Sequence, residues 1–178
     1  MANVTSATGA VMIAAGMDIE QARFNMIEQQ IRTWEVLDPE VLDLLAAVKR
    51  EDFVPEGLKA LAFADLELPI GHGQTMLQPK VEARILQEAA VKNTDVVLEV
   101  GSGSGYMAAL LASKAEYVHS VEIDPVLAET ARRNLRRAGV ANVSVETGDA
   151  SEGWSGPAPY DVIVISGSLP ELPDAFLQ

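Results

Sequence analysis

The 178-residue chain predicts an α/β fold built on a parallel sheet, and three observations predict it. From residue 96 onward, apolar strand-like runs alternate with amphipathic runs at helical spacing. The first strand, Val97-Leu98-Glu99-Val100, leads straight into Gly101-Ser102-Gly103-Ser104-Gly105, and a helical pattern from Met107 to Leu111 follows at once. Acidic residues then stand where three successive strands end: Glu99, Glu122 and Asp149. Ligands bind at the carboxyl ends of the strands in such a sheet, so the site belongs there.

Taken in order, residues 1–16 are small and nearly uncharged with no helical period, and they read as a disordered extension with Met17 starting the fold. A single domain over 17–178 is expected, divided into N-terminal helices and a loop (17–92) and the α/β part (93–178). From Asp18 to Trp34, Ile19, Ala22, Ile27, Ile31 and Trp34 recur at roughly helical spacing among polar residues, which marks an amphipathic helix. Asp38 is a good N-cap and Pro39 suits the first helical position of a second helix, whose buried face is Val41, Leu42, Leu44, Leu45 and Val48. Leu58 to Phe63 reads as another short helix. Together these segments form an N-terminal helical lid.

Leu68 to Pro79 is a loop by its proline and glycine content, yet it is apolar and amide-bearing in its other residues. Loops of that kind often line sites. Pro79 opens a helix through Val81, Ile85, Leu86 and Ala89, and 92–95 links it to the first strand of the sheet. Tyr117 to Ile123 is the next strand; Asp124 caps the following helix, Pro125 starts it, Leu127, Ala128, Ala131 and Leu135 face inward, and Gly139 ends it. Residues 143–146 and 160–165 supply two further strands.

Composition narrows the function. An apolar content of 48% is enough for a real core, and 26 acidic against 13 basic residues give a net charge of −13. A polyanion would meet long-range repulsion, which disfavours nucleic acid as a partner. The absence of cysteine removes disulfides and cysteine zinc sites, and two histidines are too few for a histidine cluster. No apolar run approaches the roughly 18 residues of a membrane span, and no secretory signal pattern opens the chain. A soluble, cytoplasmic protein is the expectation.

Spacing narrows the ligand. The order Glu99-x-Gly101-x-Gly103-x-Gly105 is one residue tighter than the dinucleotide turn G-x-G-x-x-G, and no phosphate-cradling G-x-x-x-x-G-K-[ST] occurs. Glycine is needed where the turn takes backbone angles that a side chain would obstruct and where a ligand approaches the main chain. Glu122 lies about 20 residues beyond the glycines, where a carboxylate in a nucleotide-binding βαβ unit accepts hydrogen bonds from ribose hydroxyls. By contrast, His119 reads as a packed mid-strand residue, Arg132, Arg133, Arg136 and Arg137 as a solvated helix face, and Trp34 and Trp154 as core.

The acidic residue ahead of G-x-G-x-G resembles the first motif of class I S-adenosylmethionine-dependent methyltransferases. A closer likeness is carried by Glu28-Gln29-Gln30-Ile31-Arg32, Arg50-Glu51-Asp52-Phe53-Val54-Pro55 and Gly73-Gln74-Thr75-Met76 with Pro79, in that order ahead of the glycine turn. This resembles the protein-L-isoaspartate O-methyltransferase family over residues 17–168. The resemblance implies a Rossmann-like methyltransferase sheet with helices on both faces, S-adenosyl-L-methionine as cofactor, and methylation of a carboxylate in damaged protein or peptide. It implies cofactor contacts at Met76, Glu99, Gly101, Ser102, Gly103, Gly105, Glu122, Ile123, Gly148, Asp149 and Ala150, and acceptor contacts at Gln74 and Thr75. A carboxylate acceptor is already ionised at neutral pH, so alignment of nucleophile, methyl and sulfur is the protein's main task. No metal is implied.

Two departures accompany the resemblance. The family's loop has a serine where this chain has Leu77, and a class I sheet has seven strands where four are visible here, so the C-terminal strands are expected to be missing. These departures suggest the competing readings: a non-catalytic cofactor-binding or interaction module, or a methyltransferase with a different acceptor. A nucleic-acid methyltransferase is disfavoured by the acidic charge and the lack of a basic stripe.

Overall fold

Valine and isoleucine at 96–100, 117–122, 143–147 and 162–165 take the extended conformation that suits branched side chains, and they form the sheet that carries the site. The computed structural model describes residues 18–156, 158–169 and 171–176. The expected disordered extension lies outside them. The chain divides after Arg84 into two compact units.

Among the described residues, the first unit opens with α1 (Ile19–Met26), capped by Asp18, whose carboxylate accepts from Gln21 N at 3.1 Å. The helical path continues as a π segment, Ile27–Ile31, and a 3₁₀ turn, Arg32–Trp34, before Glu35 stops it at φ 60°. The buried face holds Arg23, Met26, Ile27 and Ile31, whereas Ile19 and Trp34 are 40% and 46% exposed, so these two do not share the core assigned to them. The Trp34 ring instead carries the Lys80 ammonium 4.4 Å from its centroid. Helix α2 (Pro39–Ala47) starts as expected, with the Asp38 carboxylate accepting from Glu40 N at 2.9 Å and Val41, Leu42 and Leu45 buried. The short helix expected near Leu58 is a 3₁₀ segment, Glu56–Leu61.

The stretch expected as plain loop is a small antiparallel hairpin, β1 (Leu68–Gly71) and β2 (Gln74–Met76). Pro69 and the glycines obscured it: proline is tolerated in a two-stranded edge pair, and the register shifts between Pro69 and Gly71. The turn takes three successive positive φ values, at Gly71, His72 and Gly73. Helix α3 (Pro79–Ala89) follows, and the division between the units falls within it. Its Glu82, 3% exposed, pairs with Arg50, 1% exposed; Arg50 also donates from Nε to Ala62 O (2.8 Å) and from its second terminal nitrogen to Leu77 O (2.7 Å).

The second unit is the α/β part: β3 (Val96–Val100), α4 (Tyr106–Ala112), β4 (Tyr117–Glu122), α5 (Pro125–Arg137), β5 (Val143–Thr147) and β6 (Val162–Ile165). The strands lie in the order β5-β4-β3-β6, all parallel. Helix α4 is buried at every residue from Tyr106 to Ala112, which a run of Met, Ala and Leu permits. Helix α5 buries Leu127, Ala128, Ala131, Asn134 and Leu135, and leaves Arg133, Arg136 and Arg137 exposed. One patch of the sheet collects Leu98, Val100, Val121 and Ala150, with Trp154, Tyr160, Ile163 and Phe176 packed against it. Among the described residues no helix is long and apolar enough to cross a membrane.

Candidate cofactor site

Main-chain hydrogen bonds lace the carboxyl ends of adjacent strands together. Gly101 N donates to Val121 O (2.8 Å), Gly148 N to Glu122 O (3.0 Å), and Ser166 N and Gly167 N both to Val100 O (2.9 and 3.0 Å). The turns that leave β3, β4, β5 and β6 are thereby held in fixed relation.

The glycine turn depends on protein packing at two of its three glycines. Gly101 has φ +95°, and a Cβ there would lie 2.6 Å from Gly167 N. Gly105, at φ +87°, has Leu135 and Ala131 where a Cβ would go. Gly103 is also in the left-handed region, at φ +51°. Its N–H donates to Glu122 Oε2 at 2.8 Å, while Glu122 Oε1 accepts from Asp124 N at 3.1 Å. Glu122 is therefore 6% exposed and turned onto the glycine turn, each oxygen spending one acceptor site on a main-chain amide. Each retains another for a ligand hydroxyl.

Its neighbour Ile123 is 67% exposed, an apolar side chain standing in water beside a buried acid. Asp149 is exposed and accepts from Ser151 N at 2.9 Å; the Ser151 hydrogen bonds hold its carboxyl below the usual value. Ala150 is 4% exposed. The Trp154 ring covers Gly148, where a Cβ would come within 2.7 Å of the indole. A buried acceptor, an exposed apolar side chain and an exposed acceptor thus follow one another across the ends of β4 and β5. This set suits a nucleoside: hydroxyls at Glu122, a base edge at Asp149 and an apolar face at Ile123.

Glu99 is placed differently from the other acids. It is fully buried, and both its oxygens are engaged: Oε2 accepts from Ser120 Oγ at 2.6 Å and Oε1 from Ser166 Oγ at 3.0 Å. Ser120 Oγ in turn lies 2.5 Å from Ser102 Oγ. Burial pushes the Glu99 carboxyl up to about 7; the two serines pull against that rise, and the Glu122 carboxylate adds to it.

Sequence reasoning missed Ser120, Ser166 and Asn134. Asn134 Nδ2 donates to Ser104 O at 2.9 Å and ties α5 to the glycine turn; a polar residue on the inward stripe of an amphipathic helix was its signal. The arginines of α5 are only partly a free face, because Arg132 donates to Val145 O (2.9 Å) and Thr147 Oγ1 (3.0 Å). His119 is half-buried, with Nδ1 3.1 Å from Ser144 Oγ. Gln74, Thr75 and Met76 belong to the first unit. Gln74 and Thr75 are exposed on β2, with Thr75 Oγ1 donating to Glu67 at 3.0 Å, and Met76 is 5% exposed. Leu77 is half-buried.

The family model described as protein-L-isoaspartate (D-aspartate) O-methyltransferase matches residues 21–178. A protein-L-isoaspartate O-methyltransferase of Methanoculleus marisnigri is 44% identical over 156 residues, covering 88% of this chain and 71% of that protein. One of Protochlamydia amoebophila is 43% identical over 153 residues, covering 86% and 73%. Among solved structures, a protein-L-isoaspartate O-methyltransferase superposes with a TM-score of 0.73 at 26% identity; the alignment covers 89% of this chain and 51% of that one, so the chain spans about half of that structure's length. A Plasmodium falciparum structure, described as a putative enzyme of the same name in complex with S-adenosyl-L-homocysteine, shares the fold with a TM-score of 0.74 at 20% identity, covering 90% and 78%. On its match to the family model and to these relatives, the chain belongs to the protein-L-isoaspartate (D-aspartate) O-methyltransferase family.

Proposed function

We propose that the chain is an S-adenosylmethionine-dependent carboxyl O-methyltransferase that acts on isoaspartyl residues of protein or peptide. The observation that carries this reading is the family match over residues 21–178 joined to the strand-end set of Glu122, Ile123 and Asp149 around the glycine turn. In this reading Glu122 holds the ribose hydroxyls, Asp149 and Ala150 the adenine edge, and the turn from Gly101 to Gly105 lies beside the methionine part. The bound sulfonium supplies the methyl group and its own leaving group. The chain's part is to position the two reactants, since an ionised acceptor carboxylate needs no base. Cytoplasmic residence belongs to the same reading.

Gln74 and Thr75 are assigned to the acceptor, on the hairpin whose end Arg50 grips at Leu77 O. Leu77 supports a second reading, a different carboxylate acceptor, because its side chain cannot donate a hydrogen bond. Transfer of labelled methyl to an isoaspartyl peptide, with the aspartyl peptide as control, tests both. Wild-type protein labelling the isoaspartyl peptide selectively is the expected result, with Leu77→Ser raising kcat/KM. Labelling by Leu77→Ser alone would transfer the assignment to the second reading. No labelling by either protein, under conditions where S-adenosyl-L-homocysteine binds, would overturn the enzymatic reading.

A further inference from the structure

We propose that Glu99 is a positioning residue that controls the glycine turn through a hydroxyl relay, Glu99 to Ser120 to Ser102, while its other oxygen fixes the loop after β6 through Ser166. The proposal rests on the cofactor reading for its functional meaning, but its geometry is independent of it. Ser120 sits on β4 directly opposite Glu99 in the β3–β4 register. Ser120, Ser102 and Glu99 are respectively 0%, 4% and 0% exposed, so water does not compete for these bonds.

Donor counting gives the relay a direction. An ionised carboxylate only accepts, so the single Ser120 proton goes to Glu99 Oε2 and Ser102 must donate to Ser120 Oγ. When Oε2 takes up a proton, the order reverses. Glu99 then donates to Ser120, Ser120 donates to Ser102, and the Ser102 hydrogen is released to point elsewhere. One proton is taken up at Oε2, forming a single O–H bond there; Ser120 and Ser102 keep their own hydrogens and only reorient them, and the change arrives at the second residue of the turn. Burial already brings this uptake near neutrality. The charged group acting on Glu99 is Glu122, from β4; the glycine turn and the loop after β6 present the Ser102 and Ser166 hydroxyls to this network.

The test is a pH titration of the ligand-free protein by NMR, following the Glu99 carboxyl carbon and the Ser102 amide. In wild type both shift together with a midpoint near the value set by burial. Glu99→Gln abolishes the Ser102 step. Ser120→Ala breaks the relay: the Glu99 carbon still titrates, but the Ser102 amide stops following it. Ser166→Ala keeps the two coupled and raises their common midpoint by about one pH unit, the scale of one hydrogen bond donated to a charged group. A Ser102 step that survives in Glu99→Gln, or still tracks Glu99 in Ser120→Ala, overturns the proposal. Calorimetry with S-adenosyl-L-homocysteine on the same samples separates the two layers: coupled titration without binding would sustain the relay and remove the cofactor reading.

Discussion

Replacing Gly101 by alanine is the sharpest test of how the turn is built. Two costs combine. A non-glycine residue at φ +95° sits outside the conformations that L side chains adopt readily, worth about 1–3 kcal/mol. The added Cβ would also lie 2.6 Å from Gly167 N and 2.9 Å from Gly167 Cα. Those atoms are backbone, and Gly167 N is already bonded to Val100 O at 3.0 Å, so relief means displacing the loop after β6. Overpacking of this kind costs about 1–3 kcal/mol more, and the total expected is about 4 kcal/mol. Gly139→Ala is the control: its φ is +74° but nothing lies within 4 Å of its Cβ position, so only the conformational cost remains, about 1–2 kcal/mol. Urea unfolding of the two variants in a Trp34→Phe background, so that Trp154 is the one fluorescent tryptophan, gives the difference. If Gly101→Ala loses no more stability than Gly139→Ala, the contact between the two loops does not constrain the turn.

Three other perturbations have defined outcomes. Burial pushes the Glu99 carboxyl from its ordinary value of 4.5 up to about 7 in the fold, so the folded state holds the proton more tightly and stability falls as pH rises through that window; Glu99→Gln lacks this slope, and its stability relative to wild type should improve by about 3 kcal/mol between acid and mildly alkaline buffer in urea titrations. Arg50→Met leaves the buried Glu82 carboxylate unpaired and should cost about 3–5 kcal/mol; the double variant with Glu82→Met recovers much of this but not the bonds to Ala62 O and Leu77 O, as a double-mutant cycle would show. Asp124→Ala removes the acceptor for Val126 N (2.8 Å) and Leu127 N (3.1 Å) at the start of α5 and should lower the melting temperature, at a cost of about 1 kcal/mol.

What could be read from the sequence was whatever is encoded over a short span. The strand, glycine turn and helix from 96 to 112, the Asp38-Pro39 and Asp124-Pro125 helix starts, and the acids at the strand ends each declare themselves within a few residues. The hairpin at 68–76 did not, because Pro69 and two glycines carry the signature of loop. Trp34 falls outside the core because the helical path reaches it through a π segment, where the phase of the buried stripe changes. The serine network was beyond reach for another reason: Ser120 and Ser166 stand 21 and 67 residues from the carboxylate they serve, and serine leaves no periodic trace. Likewise Arg50 could be noted as part of a family-like segment, but its grip on Leu77 O depends on a fold that brings residues 27 apart together.

The approach of Gly101 to Gly167 also sets unequal rules for sequence drift on its two sides. A methyl group at 167 would meet only Val100 O at 3.6 Å and Gly101 Cα at 3.7 Å, ordinary contact distances, and no left-handed backbone angle forbids it. Alanine should therefore appear freely at 167 in functional variants selected from a library, while 101 stays glycine. One partner in this contact is an evolutionary anchor and the other a free variable, although they touch the same atoms.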